Sequence, residues 1–245
     1  MNFTAMFQRF ALSTHFRGNI HRWLWSGDCL LCAARAPAGK DLCPACERSL
    51  PRAAWSCPRC AAHGAAMEIE GVPCGACQTH PPAYVSARAA FRYAAPVDKL
   101  IQHLKYHDRL ELSRLLGAYL AEHLQSLNDP LPDVVVPVPL HSSRLRERGY
   151  NQSLEIARFV AQSLELPINW KDAQRIRPTM PQTELPREQR RKNVRGAFMT
   201  GGVFAGRRVA IVDDVMTSGH TANALAESLL RSGAVEVRVW VVARA

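Results

Sequence analysis

The run VAIVDDVMTSGHT, residues 209–221, decides how the rest of the chain is read. Val209, Ala210, Ile211 and Val212 form a short apolar stretch that reads as a buried strand, with Asp213 and Asp214 at its expected carboxyl end. A small polar loop follows and opens into a helix, TANALAESLLRS, expected over 221–232 and stopped by Gly233. Backbone N–H groups of Thr217, Ser218, Gly219, His220 and Thr221, with their hydroxyls and the helix N-terminus, suit a phosphate dianion. Gly219 permits the tight turn and close backbone approach that such a nest needs. Asp213 and Asp214 are placed to accept hydrogen bonds from two vicinal hydroxyls of a sugar. A strand, a turn and an acid at a strand end are each common in α/β proteins. An Asp-Asp pair followed by Thr-Ser-Gly-x-Thr is much rarer.

Upstream of this run, strand and helix patterns alternate from about residue 84. YVSARAAFRY (84–93) alternates as a strand, whereas 96–107 and 111–127 carry helical apolar spacing. Val134 to Val138 is a short β-branched run, residues 150–165 form a further helix, and 235–242 close the chain as a strand. Strands alternating with helices predict an α/β fold with a mostly parallel sheet covered on both faces, which binds ligands beyond the carboxyl ends of its strands.

Residues 29–77 follow different rules. All eight cysteines fall there, as four Cys-x-x-Cys pairs: Cys29/Cys32, Cys43/Cys46, Cys57/Cys60 and Cys74/Cys77. Two thiolates three positions apart on a tight turn can reach one tetrahedral ion, so two pairs complete a closed four-cysteine zinc site. Sequential pairing assigns Cys29, Cys32, Cys43 and Cys46 to one ion and Cys57, Cys60, Cys74 and Cys77 to the other. The alternative is a cross-brace that joins the first pair with the third. Full thiolate ligation makes both zinc ions structural, because no position stays open for water. His63 and His80 are then surface residues. The segment is rich in Ala, Pro and Gly and poor in large aliphatics, so metal binding supplies stability that its core cannot.

The chain of 245 residues is 47% hydrophobic and 21% charged, which excludes a largely disordered protein. No stretch is apolar enough to span a bilayer, and Arg9 and Arg17 interrupt the N-terminal apolar run, so neither membrane insertion nor a cleaved secretory signal is expected. A cytoplasmic location follows as the expectation. The formal charge is +10. Residues 171–198 hold eight basic side chains and three acids, and residues 1–60 hold eight against three. Such a balance fits a polyanionic partner, either nucleic acid or a small phosphorylated ligand.

Residues 209–221 resemble the signature loop of type I phosphoribosyltransferases, which bind the ribose 5-phosphate of phosphoribosyl pyrophosphate (PRPP). In that fold, the turn in DVVVPVPLHSSRLRERGYNQ (133–152) would be the pyrophosphate loop. Backbone amides around Leu140, His141, Ser142 and Ser143, and the guanidinium groups of Arg144 and Arg148, would meet pyrophosphate oxygens there. RIRPTMPQTELPREQRRKNVRGAF (175–198) looks like the flexible hood that closes over PRPP, with Gln182, Arg190 and Asn193 as its candidate contacts. Four cysteine pairs ahead of this domain, together with HLKYHDR (103–109), resemble one group in particular, the ComF family of competence-related proteins.

The resemblance implies a type I phosphoribosyltransferase fold preceded by a double zinc ribbon. It divides the chain into an N-terminal helical extension (1–27), the ribbon (28–82) and a phosphoribosyltransferase-like domain (83–245). It further implies binding of PRPP with Mg2+ and a link to DNA uptake and natural transformation, with single-stranded DNA and competence-machinery proteins as candidate partners. Asp213, Asp214, Arg144 and Arg148 would act at the reacting centre in a pentosyl-transferring glycosyltransferase whose acceptor the sequence does not name. A catalytically inactive PRPP sensor or a nucleic-acid-binding module is the alternative.

Overall fold

In a computed structural model of the chain, residues 27–53, 56–63, 71–178, 194 and 196–245 are described. The chain divides into two compact units, 1–50 and 51–245. In the first, an antiparallel bridge pairs Asp28 with Arg35, and the helix α1 (Pro44–Arg48) starts directly after Cys43 with Pro44 in its first turn. A missing amide costs nothing at that position, and the ring pre-sets φ for the helix. Among the described residues of this unit, Ala36, Leu42 and Leu50 are buried with Cys29 and Cys43.

The second unit begins with the other ribbon and its helix α2 (Gly75–Thr79), then turns into the α/β pattern. In chain order the elements are β1 (Ser86–Arg92), α3 (Val97–Tyr106), α4 (Glu111–Ser126), β2 (Val134–Pro137), α5 (Ser142–Arg148), α6 (Gln152–Ser163), β3 (Ala173–Arg175), β4 (Phe198–Thr200), β5 (Arg208–Met216), α7 (His220–Arg231) and β6 (Glu236–Arg244). Four strands form a parallel sheet in the order β1-β6-β5-β2.

The sheet is apolar on both sides because helices cover both sides. Val209 and Ile211 of β5, with Val237, Val239 and Val241 of β6, form one core cluster with Leu225, Ala226 and Leu229 of α7. Period-2 alternation turns Ala210 and Val212 to the other face, where α6 packs against β5 and β2 and α4 against β1 and β6. The α4–α6 contact is close. A Cβ on Gly117 would lie 2.8 Å from Phe159 Cβ and 3.0 Å from the Ile156 carbonyl oxygen, so only glycine fits there.

The structure differs from the sequence reading in two places. β5 continues to Met216, so Asp213 and Asp214 lie within the strand instead of ending it. The reason is β6, which runs alongside and pairs Asp213 with Val241, Val215 with Ala243 and Met216 with Arg244. The two ends of the basic segment 175–198 also join strands: β3 and β4 pair antiparallel, Ala173 with Thr200 and Arg175 with Phe198. An isolated parallel bridge between His141 and Arg175 ties this ribbon to the loop after β2.

Candidate functional site

The cysteines group as the sequential pairing expects. The sulfurs of Cys29, Cys32, Cys43 and Cys46 lie within 4.8 Å of one another, as do those of Cys57, Cys60, Cys74 and Cys77. Cys32 and Cys43 Sγ are 3.7 Å apart, and Cys60 and Cys74 Sγ are also 3.7 Å apart. A tetrahedral zinc with Zn–S bonds of about 2.3 Å separates its sulfurs by about 3.8 Å, whereas a disulfide needs about 2.05 Å. The spacing therefore fits zinc and excludes disulfides. The Cys74 amide also donates to Cys57 Sγ at 3.2 Å. Burial opposes ionisation of Cys57, but amides of Cys74, Cys60 and Arg59 outweigh it and bring the thiol down to about 7. Among the described residues no histidine joins either cluster; His80 is exposed, with its Nδ1 3.1 Å from Thr79 Oγ1.

The acid pair sits at the carboxyl end of the sheet, held from three sides. Ser153, in the first turn of α6, donates its hydroxyl to Asp213 Oδ1 at 2.7 Å. The Asp214 amide donates to the same oxygen at 3.0 Å, and the Val215 amide donates to Asp214 Oδ1 at 2.8 Å. Lys105 Nζ lies 2.6 Å from Asp214 Oδ2, and Asp214 is only 3% exposed. Burial and the neighbouring Asp214 push the Asp213 carboxyl up to about 7, against the opposing pull of Ser153 and Lys105. Burial works against the Lys105 ammonium, yet Asp214 overrides it and holds its pKa above the ordinary value. The pair thus carries its charge beside a fixed ammonium, with one carboxyl poised to titrate near neutrality.

The structure adds Lys105 to the site, and the sequence carries a signal for it. It stands four residues after Ile101 on the buried face of α3 with Val97, Leu100 and Leu104, where a lysine needs a buried partner. Ser153 gave no comparable signal, because only the packing of α6 on β5 brings it to Asp213.

After Met216 the chain turns through Thr217, Ser218 and Gly219 into α7. Gly219 adopts φ +76° as the helix N-cap, and a Cβ there would meet Tyr84 Oη at 3.2 Å. His220 and Thr221 begin the helix. Thr217, Ser218, Gly219 and His220 line a cavity of about 1200 Å³ together with Cys60, Cys74 and His80. A smaller cavity of about 510 Å³ lies at the amino ends of β2 and β5, lined by Val134, Trp170 and Arg207, away from the acids.

The loop after β2 neighbours β5, since the Val138 amide donates to the Val212 carbonyl at 2.9 Å. His141 caps α5: its Nδ1 accepts from the Ser143 amide at 3.3 Å and lies 2.8 Å from Ser143 Oγ. Ser142 is the first helical residue. Arg144 NH1 pairs with Glu147 Oε2 at 3.2 Å, while Arg148 donates to Gln152 Oε1 at 2.6 Å and lies over the Tyr106 ring. Neither guanidinium touches the acid pair. Arg175 of β3 is a further cation that the sequence reading counted without assigning a role. Burial lowers its pKa, Asp213 raises it and Arg144 lowers it, so it sits in the field of both. The hood candidates Gln182, Arg190 and Asn193 lie outside the described residues, as does 1–26.

A DNA utilization protein YhgH from Salmonella typhi is 33% identical over 225 residues, covering 89% of this chain and 97% of that protein. Competence protein F from Haemophilus influenzae is 30% identical over 238 residues, covering 94% of this chain and 96% of that protein. The chain belongs to the ComF family. Both halves of the ComF architecture are matched: a double zinc ribbon domain over residues 20–78 and a phosphoribosyl transferase domain over residues 150–245. A solved structure of glutamine PRPP amidotransferase from B. subtilis, complexed with ADP and GMP, is similar over 53% of this chain and 25% of its own, at 25% identity and a TM-score of 0.36. With both domain matches and its competence relatives, this ComF chain is a competence-linked, phosphoribosyltransferase-like protein with a mostly parallel sheet and two four-cysteine zinc clusters. Among its described residues no helix is long and apolar enough to cross a membrane.

Proposed function

We propose that this protein binds PRPP at the carboxyl end of its sheet and handles it in the service of DNA uptake or use. The observation that carries this reading is the acid pair, pre-oriented by Ser153 and Lys105 and followed within five residues by the left-handed Gly219 turn into α7. The carboxylates take the ribose hydroxyls, and the amides and hydroxyls of Thr217, Ser218, Gly219, His220 and Thr221 take the 5-phosphate. The loop at Leu140–Ser143 with Arg144 and Arg148 takes the pyrophosphate once those guanidiniums exchange Glu147 and Gln152 for phosphate oxygens, a bidentate contact suited to arginine. Gln182, Arg190 and Asn193 close the site as a hood.

Magnesium fits this donor set, being a hard cation that prefers carboxylate, hydroxyl and phosphate oxygens; it would travel with the pyrophosphate and neutralise its charge. Within the chain, Lys105 offsets the charge of Asp214, so Asp213 is the carboxyl whose ionisation sets the affinity. In pentosyl transfer, Arg144 and Arg148 stabilise the departing pyrophosphate while the fixed acids orient the ribose.

Calorimetric titration with PRPP and Mg2+ tests the reading. Micromolar binding that is lost in Asp213→Ala and Asp214→Ala supports it, and an unchanged heat signature in those variants overturns it.

A second reading rests on the eight basic side chains of 171–198 and on the names of the relatives, a DNA utilization protein and a competence protein. Single-stranded DNA binds the basic segment, with an affinity that falls steeply with salt. Binding that ignores ionic strength is the result against it.

A further inference from the structure

Arg244, the last residue of β6, reaches two places of different chemistry. Its Nε donates to the backbone carbonyl of Cys60 at 3.0 Å, and Cys60 is a ligand of the second cysteine cluster. Its NH1 donates to the Met216 carbonyl at 3.0 Å and to the Thr217 carbonyl, the two peptides that open the loop into α7. The register explains the position, because β6 pairs Arg244 with Met216 at the point where β5 gives way to the loop. Arg244 lines the 1200 Å³ cavity together with Cys74, Cys77 and His80 of the ribbon and Thr217, Ser218 and Gly219 of the loop.

We infer that Arg244 is a positioning residue that couples the metal-held ribbon to the phosphate loop, so that zinc at Cys57, Cys60, Cys74 and Cys77 and a phosphorylated ligand at 217–221 strengthen one another. The inference rests on the phosphate reading of that loop. In a trans peptide the C=O and N–H groups point in opposite directions. The Met216 carbonyl also accepts from the Ala245 amide at 3.1 Å, so the strand pairing shares in holding it; the Thr217 carbonyl turns to Arg244, and the Ser218 amide of the same peptide points away from it, the orientation a nest of N–H donors requires. The guanidinium is a rigid planar fork, so fixing one of its edges at Cys60 fixes the other at the loop. The Cys60 carbonyl belongs to a knuckle whose turn the metal holds, and the Cys57 sulfur accepts the Cys74 amide in the same cluster. The Ser218 amide is thus aimed by a contact whose far end depends on metal. Thermodynamic linkage then makes the effect reciprocal: ligand must raise zinc retention by the factor by which zinc raises ligand affinity.

The test uses the full zinc-loaded chain and two readouts. Calorimetry with PRPP and Mg2+ measures affinity. Isotope-coded alkylation under a chelator, resolved by peptide mass spectrometry, measures the exposure of Cys60 and Cys74 separately from the cysteines at 29–46. In the unsubstituted protein PRPP slows alkylation of Cys60 and Cys74 about tenfold, the ordinary size of such couplings. Arg244→Met loses that protection and a similar factor in affinity. Arg244→Lys keeps the charge without the fork and behaves like Arg244→Met, which serves if the methionine variant folds poorly. Unchanged affinity and protection in both variants overturns the inference. So does a loss of affinity that leaves ligand protection of the cysteines intact, because that describes a role in folding only. If the unsubstituted protein binds no PRPP, the phosphate reading fails by itself, and the ligand-free arm still decides the Arg244 link. Faster alkylation of Cys60 and Cys74 in the variants upholds the link, and equal rates overturn it.

Discussion

Lys105 Nζ stands 2.6 Å from Asp214 Oδ2, an ion pair between a helix on one face of the sheet and a strand in its centre. The Asp214 side chain is 4% exposed and that of Lys105 is 22% exposed. Two carboxylates next to each other in sequence, within a buried strand, would repel one another. The ammonium makes their adjacency tolerable and fixes Asp214, while Ser153 fixes Asp213.

Removing one partner of this pair leaves a buried charge alone. Lys105→Met is therefore expected to destabilise the fold by about 3 kcal/mol, near the low end for breaking a buried pair because the lysine retains some solvent. The double variant Lys105→Met with Asp214→Asn should recover most of the loss, and urea denaturation of the three proteins measures both effects.

The raised Asp213 carboxyl makes stability fall with pH. Its folded value is about 7 against an ordinary 3.8, so the folded state holds the proton more tightly than the unfolded chain. The stabilising share is complete in acid and is lost as pH rises from 3.8 through about 7. Asp213→Asn keeps an oxygen to accept from Ser153 and the Asp214 amide while removing the charge. The variant should be more stable than the parent at pH 8, by up to about 4 kcal/mol, and equal to it at pH 3, by thermal melting at both values. PRPP affinity of the parent should rise between pH 6 and 8, as the carboxylate forms.

Gly219→Ala strains a φ of +76° and drives a methyl to 3.2 Å from Tyr84 Oη. A stability cost of about 1–2 kcal/mol is expected from the backbone alone. Ligand affinity should fall further than stability does, since the turn carries the amides of the nest. Calorimetry beside a denaturation curve separates the two.

At Gly117 the cost is packing. A Cβ there meets Phe159 Cβ at 2.8 Å and the Ile156 carbonyl at 3.0 Å, so Gly117→Ala should cost about 1–3 kcal/mol by pushing α4 off α6. Urea denaturation of Gly117→Ala beside the parent measures the loss.

Chelation tests the zinc clusters. Residues 57–77 should lose hydrogen-exchange protection on zinc removal, because the buried Cys57 and Cys77 bring their sulfurs together with those of Cys60 and Cys74 within 4.8 Å, thiolates that repel one another without the ion. The sheet should persist, because β5 and β6 close a core of their own with α7. Equal protection across 57–77 before and after chelation would contradict this.

Much of the protein could be read from local pattern. The Cys-x-x-Cys spacing named its own chemistry, since a tight turn places two thiolates within reach of one ion whatever surrounds it. The apolar run at 209–212 and the Thr-Ser-Gly turn announced a strand, a loop and a helix, because period and glycine φ are properties of neighbouring residues. Tertiary structure decided what depends on elements far apart in sequence. β6 drew β5 on through both acids, and packing of α3 and α6 delivered Lys105 and Ser153 to them from 109 and 60 residues away. Arg244 found Cys60 across 184 residues. Side chains that meet through the sheet leave no spacing to read, because their partnership is set by register and helix packing, which no local window contains.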